Sequence, residues 1–317
     1  MGERELKSPK PATAAAPVTG PTTAGFVAII GAPNAGKSTL VNRLVGSKVS
    51  IVSRKVQTTR GRIRGIAMRG ACQLVLVDTP GIFKPKRRLD RAMVDAAWTE
   101  AAEADETVFL IDAGKGMTED TDRILERLAN WPKKPLLALN KIDLTPKEEL
   151  LTLAKTLNER AAFADTFMIS AERGFGVEDL GARMAAAMPE GPWLYPEDQV
   201  ADAPIRSMAS EITREQIYDR LHEELPYAST VETTQWKELK DGSVRIEQTI
   251  FVERESQRMI VLGEKGKTIK AISMVARKEI AEMAEKAVHL FLFVKVRENW
   301  GDDPERYREM GLDFPKG

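Results

Sequence analysis

Short apolar runs recur through the first half of the chain. Phe26–Ile30, Leu74–Val77, Val108–Ile111, Leu136–Leu139 and Phe167–Ile169 have the length and near-continuous hydrophobicity of strands buried on both faces. Between them, segments such as Ser38–Leu44 and Asp120–Leu128 space their apolar positions as amphipathic helices do. This alternation predicts an α/β fold with a mostly parallel, doubly wound sheet over residues 25–189. The pattern then breaks. Residues 190–204 carry Gly191, Pro192, Pro196 and Pro204 with Glu197, Asp198 and Asp202, the composition of a surface linker. Over residues 205–317 the order differs: a helix near Met208–Glu224, then a strand near Thr230–Lys237. The Asp241-Gly242 turn closes a hairpin onto Val244–Val252. A Gly-bounded loop at 263–266 opens a helix to about Ala284, and a last strand spans His289–Val296. These elements predict a smaller α+β domain. Residues 1–24, rich in Ala, Pro and Thr, are expected to be a disordered tail.

Composition narrows the classes of function. Lys+Arg and Asp+Glu are balanced at 47 each, so any nucleic-acid surface must come from local clustering. Cys72 is the only cysteine, which excludes a disulfide framework and predicts a reducing, cytoplasmic compartment. No apolar run approaches the roughly 20 residues that span a bilayer. The opening residues Glu3, Arg4, Glu5 and Lys7 lead into no apolar segment of the secretory kind.

The chemistry is carried by motifs at strand ends. Gly31-Ala32-Pro33-Asn34-Ala35-Gly36-Lys37-Ser38-Thr39 follows the first strand and opens a helix. Its backbone N–H groups and the helix N-terminus suit a nucleotide's phosphates. Lys37 is expected to neutralise β/γ charge and Ser38 to hold Mg²⁺. Asp78, at the end of a strand, is placed to bind Mg²⁺ through water. Gly81 can bring its N–H to a γ-phosphate without a Cβ clash. Asn140-Lys141-Ile142-Asp143 then selects guanine. A carboxylate at Asp143 accepts from the guanine N1–H and N2 amino group, and adenine would leave it unpaired. Lys141 can cover the base and Asn140 can tie the loops together. In Ser170-Ala171-Glu172, the Ala171 N–H is expected to face guanine O6. Gln57-Thr58-Thr59-Arg60 is the candidate first switch; either threonine can meet Mg²⁺, and Thr59 is favoured. The second switch should follow Gly81 through Ile82, Phe83 and the basic run Lys84–Arg88.

On these motifs the chain resembles the Era family of bacterial Ras-like GTPases with a C-terminal KH domain. Further carriers are Glu224-Leu225-Pro226-Tyr227, Val252-Glu253-Arg254, Gly263-Glu264-Lys265-Gly266, Ala276-Arg277-Lys278 and Val288-His289-Leu290. The resemblance covers about Phe26 to Gly311. It implies a type II KH domain and a monomeric, GTP-hydrolysing switch. It implies binding to the 3′ end of 16S rRNA and action in maturation of the small (30S) ribosomal subunit. Ile82 stands where Ras-like proteins carry a water-orienting Gln, so slow unaided turnover is expected. Asn34 occupies the position that related GTPases use to help bind K⁺, which would neutralise phosphate charge.

In the second domain, Gly263, Glu264, Lys265 and Gly266 form the Gly-x-x-Gly loop that lets a sugar-phosphate backbone pass close. Lys267, Lys270, Arg277 and Lys278 extend the positive charge, and Ile260, Val261, Leu262 and Ile269 are candidates for a base-facing groove. Arg254, Lys295 and Arg297 fit a solvated face. Cys72, Met184 and Met188 fit the core, and His222 and His289 lack metal-ligand partners. Trp300 and the Asp302–Tyr307 segment either cap the second domain or stack on the RNA end. The rival to RNA is peripheral contact with the inner membrane through Lys84–Arg88, although no amphipathic anchor accompanies that run.

Overall fold

The structure, a computed structural model, describes residues 20–53, 55, 58–61, 63–221, 225–298 and 300–315. Gln57, His222, Glu224 and most of the N-terminal tail lie outside the described residues.

Six strands form the first sheet, in the order β2-β3-β1-β4-β5-β6. They are β1 (Thr23–Ile30), β2 (Ile63–Arg69), β3 (Cys72–Asp78), β4 (Glu106–Asp112), β5 (Leu136–Asn140) and β6 (Thr166–Met168). All neighbours pair in parallel except β2, which runs antiparallel to β3 at the edge. The two-residue repeat of a strand explains the continuous apolar runs: alternate residues feed opposite faces. Val27 and Ile29 join α1 (Lys37–Val45) and α5 (Val177–Ala186) through Leu40, Leu44, Leu180 and Met184. Ala28 and Ile30 join α2 (Arg88–Glu103), α3 (Glu119–Leu128) and α4 (Lys147–Arg160) through Ala97, Ile124 and Leu157. Cys72, Met184 and Met188 are core residues, as expected.

The strand β2 was not among the predicted elements, because Ile63–Arg69 interleaves Arg64, Gly65 and Arg69 with its apolar residues. The tail boundary also moves, since β1 already begins at Thr23. Residues 190–204 lie along the sheet edge. Ile66 N–H donates to Val200 O at 2.9 Å, and Asp202 N–H to Arg64 O at 2.9 Å. The buried Gln73 amide holds the Leu194 and Tyr195 N–H groups at 2.8 and 2.9 Å.

The second domain has α6 (Ile205–Arg220), β7 (Ser229–Glu238), β8 (Val244–Val252), α7 (Glu255–Leu262), α8 (Lys267–Ala284) and β9 (Val288–Val296). Its sheet order is β7-β8-β9, antiparallel then parallel. Helices α6 and α8 cover one face through Ala209, Ile212, Ala276 and Ile280. The last helix among the described residues is α9 (Pro304–Glu309). Tyr307 and Leu312 pack on Ala92, Met93 and Ala96 of α2, so the C-terminal segment clasps the first domain. Trp300 is buried, with its indole N–H on Ala228 O at 2.9 Å. These rings cap and tie the domains, and neither is available to stack on RNA.

Candidate nucleotide site and Gly-x-x-Gly loop

The motif residues converge at the C-terminal ends of the parallel strands, the crevice where open α/β sheets take their ligands. Of them, Asn34, Lys37, Thr59, Gly81, Lys141 and Ala171 line one side of a cavity of about 1310 Å³. Glu215, Tyr218 and Asp219 of α6 stand on the other.

After β1 the backbone turns through Asn34 (φ 64°) and Gly36 (φ 100°), both left-handed. At Gly36 a Cβ would lie 2.3 Å from Asn140 Nδ2, so only glycine fits. Lys37 Nζ folds back onto Gly31 O and Ala32 O at 3.2 and 3.1 Å. Burial pushes its ammonium down to about 8, against the opposing pull of the Asp78 carboxylate.

Asp78 is fully buried at the end of β3. Its Oδ2 accepts from Ser38 Oγ at 2.7 Å and Thr59 Oγ1 at 3.2 Å, and the two hydroxyls lie 3.1 Å apart. Among the described residues its Oδ1 has no hydrogen-bond partner. Burial raises its pKa, opposed by hydrogen bonds from Ser50 and Ser38 and by the Lys37 charge. Converging hard oxygens with one orphaned carboxylate oxygen suit Mg²⁺. Thr58, the other candidate, instead donates its hydroxyl to Lys55 O at 2.8 Å. Ser50, which also donates to Asp78 Oδ2, was missed in the sequence; a lone serine in a loop carries no signal.

Ile82 N–H donates to Gly31 O at 3.0 Å and its side chain is core, so it cannot orient water. A Cβ on Gly81 would meet Pro33 at 2.9 Å, so this approach also requires glycine. Asn140 ties the loops as expected: Nδ2 donates to Ala35 O at 2.8 Å, and Oδ1 accepts from Ala171 N–H at 2.9 Å. The Ala171 N–H is therefore held by Asn140 in this structure rather than facing an open guanine O6 position. Lys141 Nζ reaches Asn34 O at 2.9 Å and Asp112 Oδ2 at 2.6 Å. Glu172 is exposed, and its carbonyl accepts from Arg43. Asp143 has Arg173 at 3.9 Å. Thr39 lines the same cavity.

In the second domain, Gly263 (φ 71°), Lys265 (φ 52°) and Gly266 (φ 75°) form a tight left-handed turn between α7 and α8. A Cβ on Gly263 would fall 2.1 Å from Thr268 Oγ1. Glu264, Lys265, Lys267, Lys270, Arg277 and Lys278 are exposed, and the cations continue along α8 from the loop. Met259, Ile260 and Met274 lie exposed beside them. Val261 does not join this surface: it is fully buried in the core with Ile217 and Ile272. The helix α7, not predicted, carries Ile260 and Val261 on different faces and so separates them. In the basic run, Arg88 turns to Asp302 at 3.5 Å and lies over Phe314. Among the described residues, no helix is long and apolar enough to cross a membrane.

Residues 26–141 match the family described as 50S ribosome-binding GTPase, and residues 224–301 match the KH domain. The GTPase Era of Afipia carboxidovorans is 66% identical over 93% of this chain and 96% of its own length. This chain belongs to the GTPase Era family. The Era of Brucella suis is 64% identical over 93% and 94% of the two chains. A solved Era in complex with MgGDPNP and nucleotides 1506–1542 of 16S ribosomal RNA superposes with a TM-score of 0.86. It is 36% identical, covering 92% of this chain and 99% of that one. An Aquifex aeolicus Era variant bound to GDP and aluminium fluoride gives the same values. The chain is thus a GTPase with a C-terminal KH domain, in the Era arrangement of a largely parallel α/β domain followed by α+β.

Proposed function

We propose that this GTPase is a nucleotide-controlled RNA-binding switch of small-subunit (30S) maturation, engaging the 3′ end of 16S rRNA through its KH domain. The observation that carries the reading is the docking of the loop that holds Thr59. Lys48 pairs with Glu215 and Glu279, Lys55 donates to the Tyr218 and Leu221 carbonyls, and Arg60 enters the KH domain. A segment that senses the γ-phosphate and touches the RNA-binding domain couples the two. The solved Era that holds rRNA together with a GTP analogue supports the same reading.

Ser38, Thr59 and Asp78 would hold Mg²⁺, which when bound neutralises phosphate charge. Lys37 and the loop N–H groups orient the phosphates, and Gly81 admits its N–H at the γ position. Ile82 offers no base, so positioning and electrostatics carry the rate. Asn34 would help bind K⁺. In the KH domain, Gly263–Gly266 would let the RNA backbone approach, with Lys265, Lys267 and Lys270 meeting phosphates and Arg277 and Lys278 extending the path. Of the basic run, Arg88 is engaged by the C-terminal segment, while Lys84, Lys86 and Arg87 are exposed. The test is equilibrium binding of a GTP analogue and of GDP with and without a 3′-end oligonucleotide. Since RNA and GTP must favour each other by one factor, the oligonucleotide should lower the GTP-analogue Kd but not the GDP Kd. An equal effect on both removes the proposal.

A further inference from the structure

Arg60 follows Thr59 directly, and its side chain leaves the GTPase domain altogether. It is 3% exposed and, among the described residues, donates to four acceptors, all in the KH domain: Ser229 O at 2.7 Å, Pro226 O at 3.0 Å, Tyr227 O at 3.1 Å and Tyr218 Oη at 3.1 Å. Its guanidinium also lies 5.9 Å from the Tyr218 ring and 5.4 Å from the Trp300 ring. Trp300 is itself fixed by Ala228 O. Three separate parts of the KH domain thus build this socket: α6, the turn before β7 and the segment after β9.

The neighbouring positions are held from the same side. Arg214 of α6 donates to Thr58 O at 2.5 Å, and Glu215 accepts the Val52 N–H at 2.8 Å. Thr59 therefore sits between two contacts to the KH domain at Thr58 and Arg60. On its own side, among the described residues, its hydroxyl meets Ser38 and Asp78. Once residue 60 is fixed, one peptide unit limits where residue 59 can place its hydroxyl.

We infer that Arg60 is a positioning residue of the GTPase site: anchored in the KH domain, it holds Thr59 at Ser38 and Asp78, so the KH domain orders the metal-binding threonine. The inference rests on Thr59 as a Mg²⁺ ligand, and so deepens the proposed switch. The chemistry of the socket suits a reversible contact. Five guanidinium donors in a rigid fork fix geometry well. Among the described residues, however, the bonds from Arg60 are all to neutral oxygens. Those bonds exchange for equivalent bonds to water when the domains part, which keeps the net preference small. A contact that is geometrically strict and energetically mild is one that a γ-phosphate or an RNA can tip.

The test uses the full chain in two assays, neither reading turnover. In the metal-free, nucleotide-free protein, amide hydrogen exchange over residues 58–61 should rise at least about tenfold in Arg60→Ala, because the anchor is what orders them. The Mg²⁺ concentration for half-maximal binding of a non-hydrolysable GTP analogue should rise about tenfold, as the competent arrangement must be drawn from a disordered segment. GDP affinity without Mg²⁺ should stay within about twofold. Arg60→Lys, one point charge for a forked set of acceptors, should fall between. Tyr218→Phe keeps the ring, loses one acceptor and should shift the Mg²⁺ midpoint two- to threefold, which keeps the test open if Arg60→Ala unfolds. Thr59→Ala separates the two ideas. If it shifts the Mg²⁺ midpoint while Arg60→Ala and Tyr218→Phe change nothing, the positioning role is wrong. If Thr59→Ala also leaves the midpoint unmoved, the Mg²⁺ assignment is wrong and the inference falls with it.

Discussion

Asn140→Ala removes an amide bonded at both ends inside the protein. Its Nδ2 donates to Ala35 O at 2.8 Å and its Oδ1 accepts from Ala171 N–H at 2.9 Å. Ala35 and Ala171 are each 1% exposed, so neither freed backbone group has ready access to water. A buried neutral group left unpaired costs about 1–3 kcal/mol, and two give about 2–6 kcal/mol. The vacated space beside Gly36 lets the loop relax, so about 3 kcal/mol is expected, or roughly 150-fold in an equilibrium constant. Where the loss shows depends on the free protein. If the two loops loosen without nucleotide, it appears as weaker binding; if they stay docked, it lowers folding stability. Fluorescent-GDP titration and urea unfolding of the nucleotide-free protein measure the two parts, and their sum is the predicted quantity. A combined loss under about 0.5 kcal/mol would refute the argument that Asn140 joins the phosphate loop to the Ser170–Glu172 turn.

Other consequences follow from single groups. Lys37 titrates near 8 in the empty site, below its ordinary value, so the empty protein gains stability as pH rises from about 8 to 10.5. Nucleotide needs the charged amine, so GDP affinity should fall about tenfold from pH 8 to 9.5; a flat profile contradicts the burial argument. Gly263→Ala places a Cβ at 2.1 Å from Thr268 Oγ1 in a left-handed turn. It should weaken RNA binding at least about tenfold while GDP affinity, measured in parallel, stays unchanged. Turnover should be several-fold faster in K⁺ than in Na⁺ at matched ionic strength, and equal rates would remove the cation from the site at Asn34.

The sequence made some of this legible because the signal was local. A phosphate loop is written in consecutive residues, and β1, β3, β4 and β5 are apolar on both faces, so Val27 and Ala28 are equally visible. Elements with one-sided burial were harder. Helix α2 hides a core face made of Ala92, Ala96, Ala97 and Ala101, which carry weak hydrophobic contrast. Strand β2 is interrupted by Arg64 and Gly65, the latter packed against Val41 and Val45 where a side chain would clash. Tertiary partners were not legible at all. Nothing near Arg60 tells that its guanidinium ends among the carbonyls of residues 226, 227 and 229. Ser50 is an ordinary loop serine until the fold brings it to Asp78. Val261 has apolar neighbours in the sequence and so reads as groove-lining, whereas the turn of α7 sends it inward and Ile260 outward.

The central claim is that nucleotide state controls RNA engagement, and equilibrium binding of RNA to the GTP-analogue and GDP forms tests it most directly. The probes are an oligonucleotide of the small-subunit rRNA 3′ end and a scrambled one, each at two salt concentrations. The account predicts selective binding to the 3′-end sequence in the GTP-analogue form, at least about tenfold weaker in the GDP form. It also predicts a salt slope that falls when Lys265, Lys267 and Lys270 are neutralised. Equal affinity in both nucleotide states, or equal affinity for both sequences, would contradict it.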